Sequence, residues 1–136
     1  MSFTKNKDRK APFVAEVMVS HADLTSAVAL PVIDVPGNVV IDDVYLCLDT
    51  TFNPTTSAVV EVGIGGATAK FVASQNVFTG QALGGRAGAA TGKGYRFTAP
   101  DTIDVLYTSG GGTATQGSFR LVVTGHYERQ ADFVVG

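Results

Sequence analysis

Glycine-rich stretches are the first place to look for chemistry, because successive backbone N–H groups without side chains in the way can cradle a phosphate. Three stretches qualify by composition: GIGGATAK at 63–70, AGAATGKG at 87–94 and TSGGGTATQGSFR at 108–120. A Walker loop would need glycine at Ala87 and a hydroxyl residue at Gly94, and the chain has neither. GIGGATAK carries Thr68 where a dinucleotide fingerprint needs its third glycine, and no helical pattern follows it. With clean strand patterns on both sides, TSGGGTATQGSFR reads as a mobile tip joining the last two strands, available as an exposed contact loop.

Acid and base chemistry would fall to the aspartates. Asp42 with Asp43, Asp101 with Asp104, and Asp34 with Asp49 are the pairs that glycosidic acid/base work could recruit, provided their carboxyls converge. All stand where turns and strand edges are expected, places that favour Asp for backbone reasons. The chain has two histidines, His21 and His126, too few for a three-histidine metal site. His21 with Asp23 suits a turn cap, and His126 an ordinary surface or interface position. Cys47, the single cysteine, forbids an intramolecular disulfide, and its apolar neighbours suit a small buried residue better than a nucleophile. No calcium loop of alternating Asp and Asn is present. Tyr45, Tyr95 and Tyr107 would offer a stacking face to a sugar if they shared one surface. No catalytic residue, cofactor or metal site is therefore expected.

The elements that would position these residues are strands. Apolar residues alternate with polar ones at period two, broken at short intervals by Gly, Pro, Asn and Asp. Phe13, Ala15, Val17 and Val19 form one core face. Val28 to Val35 holds Pro31 and so lies at a sheet edge or breaks there. Pro36-Gly37 suits a type II turn with the glycine at positive φ. A long strand should then run from Val39 towards Phe52, bulged at Asp42-Asp43, with Val44, Leu46 and Leu48 on one face and Tyr45 and Cys47 on the other, as suits a central or covered strand. NPTTS at 53–57 turns the chain into a hairpin whose arms carry Val60, Val62 and Ile64 and then Ala67 to Ala73, with its tip at 63–66. Residues 74–94 hold six glycines and show neither period, which predicts a long loop pinned by Val77, Phe78 and Leu83. Strand patterns return at Tyr95 to Thr98, at Ile103, Val105 and Tyr107, and from Phe119 to Tyr127. The expectation is an all-β chain of about eight strands, an antiparallel two-sheet sandwich of jelly-roll or other Greek-key topology.

Length and charge fit that picture. The 136 residues suit one domain, and charged residues make up 16% against the roughly 25% usual for soluble domains. Low charge implies that some surface is buried against other chains. Four basic residues, Lys5, Lys7, Arg9 and Lys10, fall in the first ten positions, leaving an acidic remainder of 6 basic and 11 acidic residues. An acidic body argues against nucleic acid as a partner. No apolar run is long enough to span a bilayer, and no apolar stretch follows the basic start as in a secretory signal, so synthesis in a cytosol is expected. The expected organisation is a flexible basic arm at 1–11, one sandwich domain at 12–128 and a tail at 129–136.

The segments GYRFTAPDTIDVLYTSGGGTATQGSFRLVVTGHYE at 94–128 and VVIDDVYLCLDTTFN at 39–53 resemble the small jelly-roll-like virion structural proteins of tailed bacteriophages, nearest to the capsid cement or decoration proteins. The likeness lies in a strand, a Gly/Thr loop, a closing strand, low charge and a basic N-terminal arm. It implies a protein without catalysis at the virion's capsid surface, made in the bacterial host cytoplasm. It also implies a homo-oligomer, a trimer by preference, that staples neighbouring copies of a major capsid protein. The expected contacts are Lys5, Lys7, Arg9 and Lys10 of the arm and Phe133, Val134 and Val135 of the tail, the latter by packing on the body or adding to a neighbour's sheet. A carbohydrate- or receptor-binding module of a phage tail or fibre is the alternative, resting on the tyrosines and the long glycine-rich loop.

Overall fold

A computed structural model describes residues 11–87 and 90–128. Among these residues nine strands build two antiparallel sheets: β1 Pro12–Ser20, β2 Val28–Val35, β3 Val39–Thr50, β4 Ser57–Ile64, β5 Ala67–Asn76, β6 Arg86–Ala87, β7 Arg96–Phe97, β8 Asp101–Gly110 and β9 Ser118–Tyr127. One sheet has the order β1-β9-β3-β6, with β7 also on β3, and the other has the order β2-β8-β4-β5. The expected all-β, two-sheet antiparallel sandwich is the observed fold.

Alternation decides which side chains fill the space between the sheets. Phe13 and Val19 of β1, Val44, Leu46 and Leu48 of β3, Val60 and Val62 of β4, and Phe119, Leu121 and Val123 of β9 all point inward and are buried. Phe52 sits among them, its ring 5.2 Å from that of Tyr107 and 6.2 Å from that of Phe119. Ala15 and Val17 are only partly buried, because they lie on an edge strand.

The expected irregularities sit where their chemistry puts them. β2 is an edge strand whose register slips between Pro31 and Ile33, a setting in which a residue without an N–H is tolerated. The pairing of β3 with β9 slips between Ile41 and Asp43, placing the bulge at Asp42. β4 and β5 form the expected hairpin, with Ile64 opposite Ala67.

Other expectations are corrected. The turn after β2 puts Asn38, not Gly37, at positive φ (65°), so it is not the type II turn that Pro36-Gly37 suggested. The 74–94 segment is not one loop: β5 runs on to Asn76, and β6 pairs with Leu46 and Cys47 of β3. Val77 is fully buried and Phe78 partly so, but Leu83 is 57% exposed and pins nothing.

TSGGGTATQGSFR joins strands of different sheets, since β8 and β9 are not neighbours. Nor is it a loose tip. The Asn53 amide holds both Thr115 and Gln116, Gln116 Nε2 donates to the Thr51 carbonyl at 3.2 Å, and Ala114 is buried. The backbone N–H groups of Thr55 and Thr56 donate to the Gly111 and Gly110 carbonyls. Gly117 closes the loop at φ 141°, with Phe52 packed where a Cβ would stand.

Candidate functional site

The basic arm and the C-terminal tail carried the expected contact residues. Lys5, Lys7, Arg9, Lys10, Phe133, Val134 and Val135 all lie outside the described residues. The sites to be built from geometry are therefore on the sandwich.

Each aspartate pair dissolves into separate structural duties. Asp34 and Asp49 flank inward-facing residues on β2 and β3, which belong to opposite sheets, so their carboxylates stand on opposite outer faces of the sandwich. Asp101 accepts from the Thr102 backbone N–H at 2.7 Å, and Asp104 from the Thr102 hydroxyl at 2.7 Å. The bulge separates Asp42 from Asp43: one pairs with His126, the other with Arg86. Among the described residues no three metal-ligating side chains cluster, and no helix is long and apolar enough to cross a membrane.

Of the expected pair, Asp23 makes the cap, while His21 enters through its backbone, its N–H donating to the Gly117 carbonyl at 2.9 Å. The Ser20 N–H donates to Asp23 Oδ2 at 3.0 Å, and the Ser20 hydroxyl to the same oxygen at 3.2 Å. His126 is more than a bland surface residue: its Nδ1 lies 3.0 Å from Asp42 Oδ2 and its Nε2 3.6 Å from Glu128 Oε2. Asp42 and His126 are 84 residues apart, so only the β3–β9 register brings them together.

The outer face of the first sheet is the most patterned surface. Arg120 of β9 reaches Glu16 of β1 at 3.8 Å and Asp49 of β3 at 3.4 Å, linking three strands. Arg86 of β6 pairs with Asp43 and lies over the Tyr45 ring at 4.3 Å. Cys47, which apolar neighbours suggested was buried, is only half-buried on this same face, in register with Arg120 on one side and Arg86 on the other. Two apolar side chains of β1 stand free beside this charged ladder, Val14 at 67% and Met18 at 55% exposure. Isolated exposed pairs of this kind add little stability, so their arrangement matters mainly to what meets the face. Sequence reasoning missed this ladder; its only trace there is the polar phase of β3 and β9.

The tyrosines do not share a surface. Tyr45 lies under Arg86 on the outside of the first sheet, and Tyr95 lies under Lys70, 4.7 Å from the ammonium. Tyr107 is buried inside the sandwich. Beside it is a pocket of about 290 Å³ lined by His21, Leu24, Thr25, Ser26, Ser109, Thr113 and Ala114. The Tyr107 hydroxyl is buried without a hydrogen-bond partner. Burial pushes this phenol above its ordinary 10.0, opposed by the nearby Ser109 hydroxyl, which itself donates to the Gly112 carbonyl at 3.1 Å.

Comparison with known proteins gives likeness in fold rather than in sequence. No protein-family model matches the chain, and no curated protein matches it. Among solved structures, a chain of the cyanophage Pam1 capsid asymmetric unit superposes with a TM-score of 0.74 at 17% identity, over 93% of this chain and 92% of that one. A chain from Bacillus endospore appendages, described as disulfide-linked pili, covers 94% of this chain and 96% of that one at 19% identity, but its TM-score of 0.44 carries no weight. The all-β fold implied by the resemblance to phage virion proteins is thus the fold found, and it recurs in a cyanophage capsid.

Proposed function

We propose that this chain is a non-enzymatic virion structural protein, a decoration protein that binds the outside of a phage capsid lattice and stabilises it. The observation that carries this reading is the likeness of the whole sandwich to a chain of a cyanophage capsid asymmetric unit. The strand orders β1-β9-β3-β6 and β2-β8-β4-β5 support a double-sheet jelly roll, an architecture common in capsid proteins. Every aspartate pair that could have served an enzyme is divided between faces or held by a neighbour. The low charge of the chain, 16% of residues, suits a protein that buries surface against copies of a major capsid protein. In this reading the chain is a homotrimer on the capsid surface, with Lys5, Lys7, Arg9 and Lys10 of the arm and Phe133, Val134 and Val135 of the tail as contacts.

The test is reconstitution. Capsids assembled without the protein, then supplied with it, should bind it stoichiometrically and withstand a higher temperature before releasing DNA. Absence of binding, or binding with no gain in heat resistance, overturns the decoration role.

A further inference from the structure

We propose that the free edge of β1 takes residues 131–135 of a second copy of this chain as an added strand. The four sheet edges are not alike. β2 is guarded by Pro31 and its bulge. β5 is covered where Val72 pairs with Ala90 and where the Thr91 N–H donates to the Phe71 carbonyl. The outer side of β3 is closed by β6 and β7 and by the Gly84, Tyr95 and Gly94 backbone bonds to Leu48 and Ile41. β1 has nine residues, no internal proline or bulge, and, among the described residues, a neighbouring strand on one side only.

Its hydrogen-bond phase follows from two bonds. Tyr127 N donates to the Ala11 carbonyl and His21 N to the Gly117 carbonyl, each at 2.9 Å. With Pro12 opposite His126 and Ser20 opposite Ser118, these bonds make the odd-numbered residues of β1 the ones bonded to β9. The N–H groups of Val14, Glu16 and Met18 therefore point out of the sheet, without a strand partner among the described residues. Asp23 caps the Ser20 N–H and closes the ladder at that end. Glu16, the strand's one charge, is drawn onto the sheet face by Arg120 and does not block the edge.

The occupant is argued from length and place. Eight residues, RQADFVVG, follow the last described residue, Glu128, and five of them span ~17 Å as a strand, the reach of this ladder. They contain Phe133, Val134 and Val135 and no proline or lysine, a composition that favours pairing. The tail starts on β9, with β1 between it and the free edge. With β1 lying between, a strand added at that edge is assigned to the tail of a second copy. Passed head to tail, such a contact builds a ring where its rotation closes and a filament where it does not. The inference rests on self-association alone, so a chain that multimerises but binds no capsid still satisfies it.

Hydrogen exchange at single amides, with solution mass, tests it on the full chain and on Val134→Pro. At concentrations giving a multimer, Val14, Glu16 and Met18 should exchange slowly; dilution to the single chain and Val134→Pro should each abolish that protection and the multimer. Fast exchange at these amides in the multimer, protection that survives Val134→Pro, or protection that persists in the diluted single chain each overturns the proposal.

Discussion

Asn53 and Thr115, 62 residues apart, bind each other twice: the Thr115 N–H donates to Asn53 Oδ1 at 2.8 Å, and Asn53 Nδ2 donates to Thr115 Oγ1 at 2.9 Å. Through this pair the connection entering β4 and the connection entering β9 become one structure at the end of the sandwich. Gln116 N joins at 3.1 Å, so a single amide side chain organises the glycine-rich loop.

Asn53→Ala should therefore release the 111–117 loop without unfolding the sheets. We expect faster hydrogen exchange at the Thr115 and Gln116 amides and a loss of about 1–2 kcal/mol in denaturant unfolding. Unchanged exchange at both amides would show that other bonds hold the loop.

Two glycines in the same loop separate conformational strain from lack of room. At Gly117, with φ 141°, an added Cβ would meet Phe52 Cδ2 at 2.4 Å; at Gly112, with φ 106°, it would meet nothing within 4 Å. Gly112→Ala should cost about 1 kcal/mol from backbone strain alone. Gly117→Ala should cost about 2–4 kcal/mol, because it also forces the core ring aside. Urea midpoints of the two variants, measured side by side, decide the difference.

Tyr107 gives a pH-dependent prediction. Its hydroxyl is buried, and burial raises its pKa against the smaller opposing effect of the Ser109 hydroxyl. Below the ordinary 10.0 the phenol is neutral folded or unfolded; above it the unfolded chain ionises first, so this residue's share of stability is lost as pH rises through the higher folded value. Tyr107→Phe should be neutral or stabilising by up to about 1 kcal/mol near neutrality. Its stability should also fall less than that of the parent between about pH 8 and about pH 10.5. Parallel slopes for the two proteins would contradict this.

Cys47 should react with a thiol reagent while the protein remains folded. It lies half-buried on the outer face of β3, between positions held by two arginines. One equivalent of modification with unchanged far-ultraviolet dichroism is expected, at a rate below that of a free thiol. Modification that begins only with unfolding would place Cys47 inside.

What the sequence by itself determined was local: strand periodicity, a proline that confines its strand to an edge or a break, a bulge at Asp42-Asp43 and a glycine-bearing hairpin tip, which the structure narrows from 63–66 to Gly65 and Gly66. Each depends on backbone chemistry within a few residues, where period-two burial, a missing N–H or a glycine leaves a direct trace. Only the tertiary structure decided which strands are neighbours. Consecutive β8 and β9 look like a hairpin in sequence yet lie in different sheets, since closing two sheets over one core requires the chain to cross between them. The same closure turned TSGGGTATQGSFR from an apparent loose tip into a bonded corner and sent Asp34 and Asp49 to opposite faces. It also placed His126 against Asp42 and set Arg120 between Glu16 and Asp49, because cross-strand register joins residues without regard to their separation along the chain.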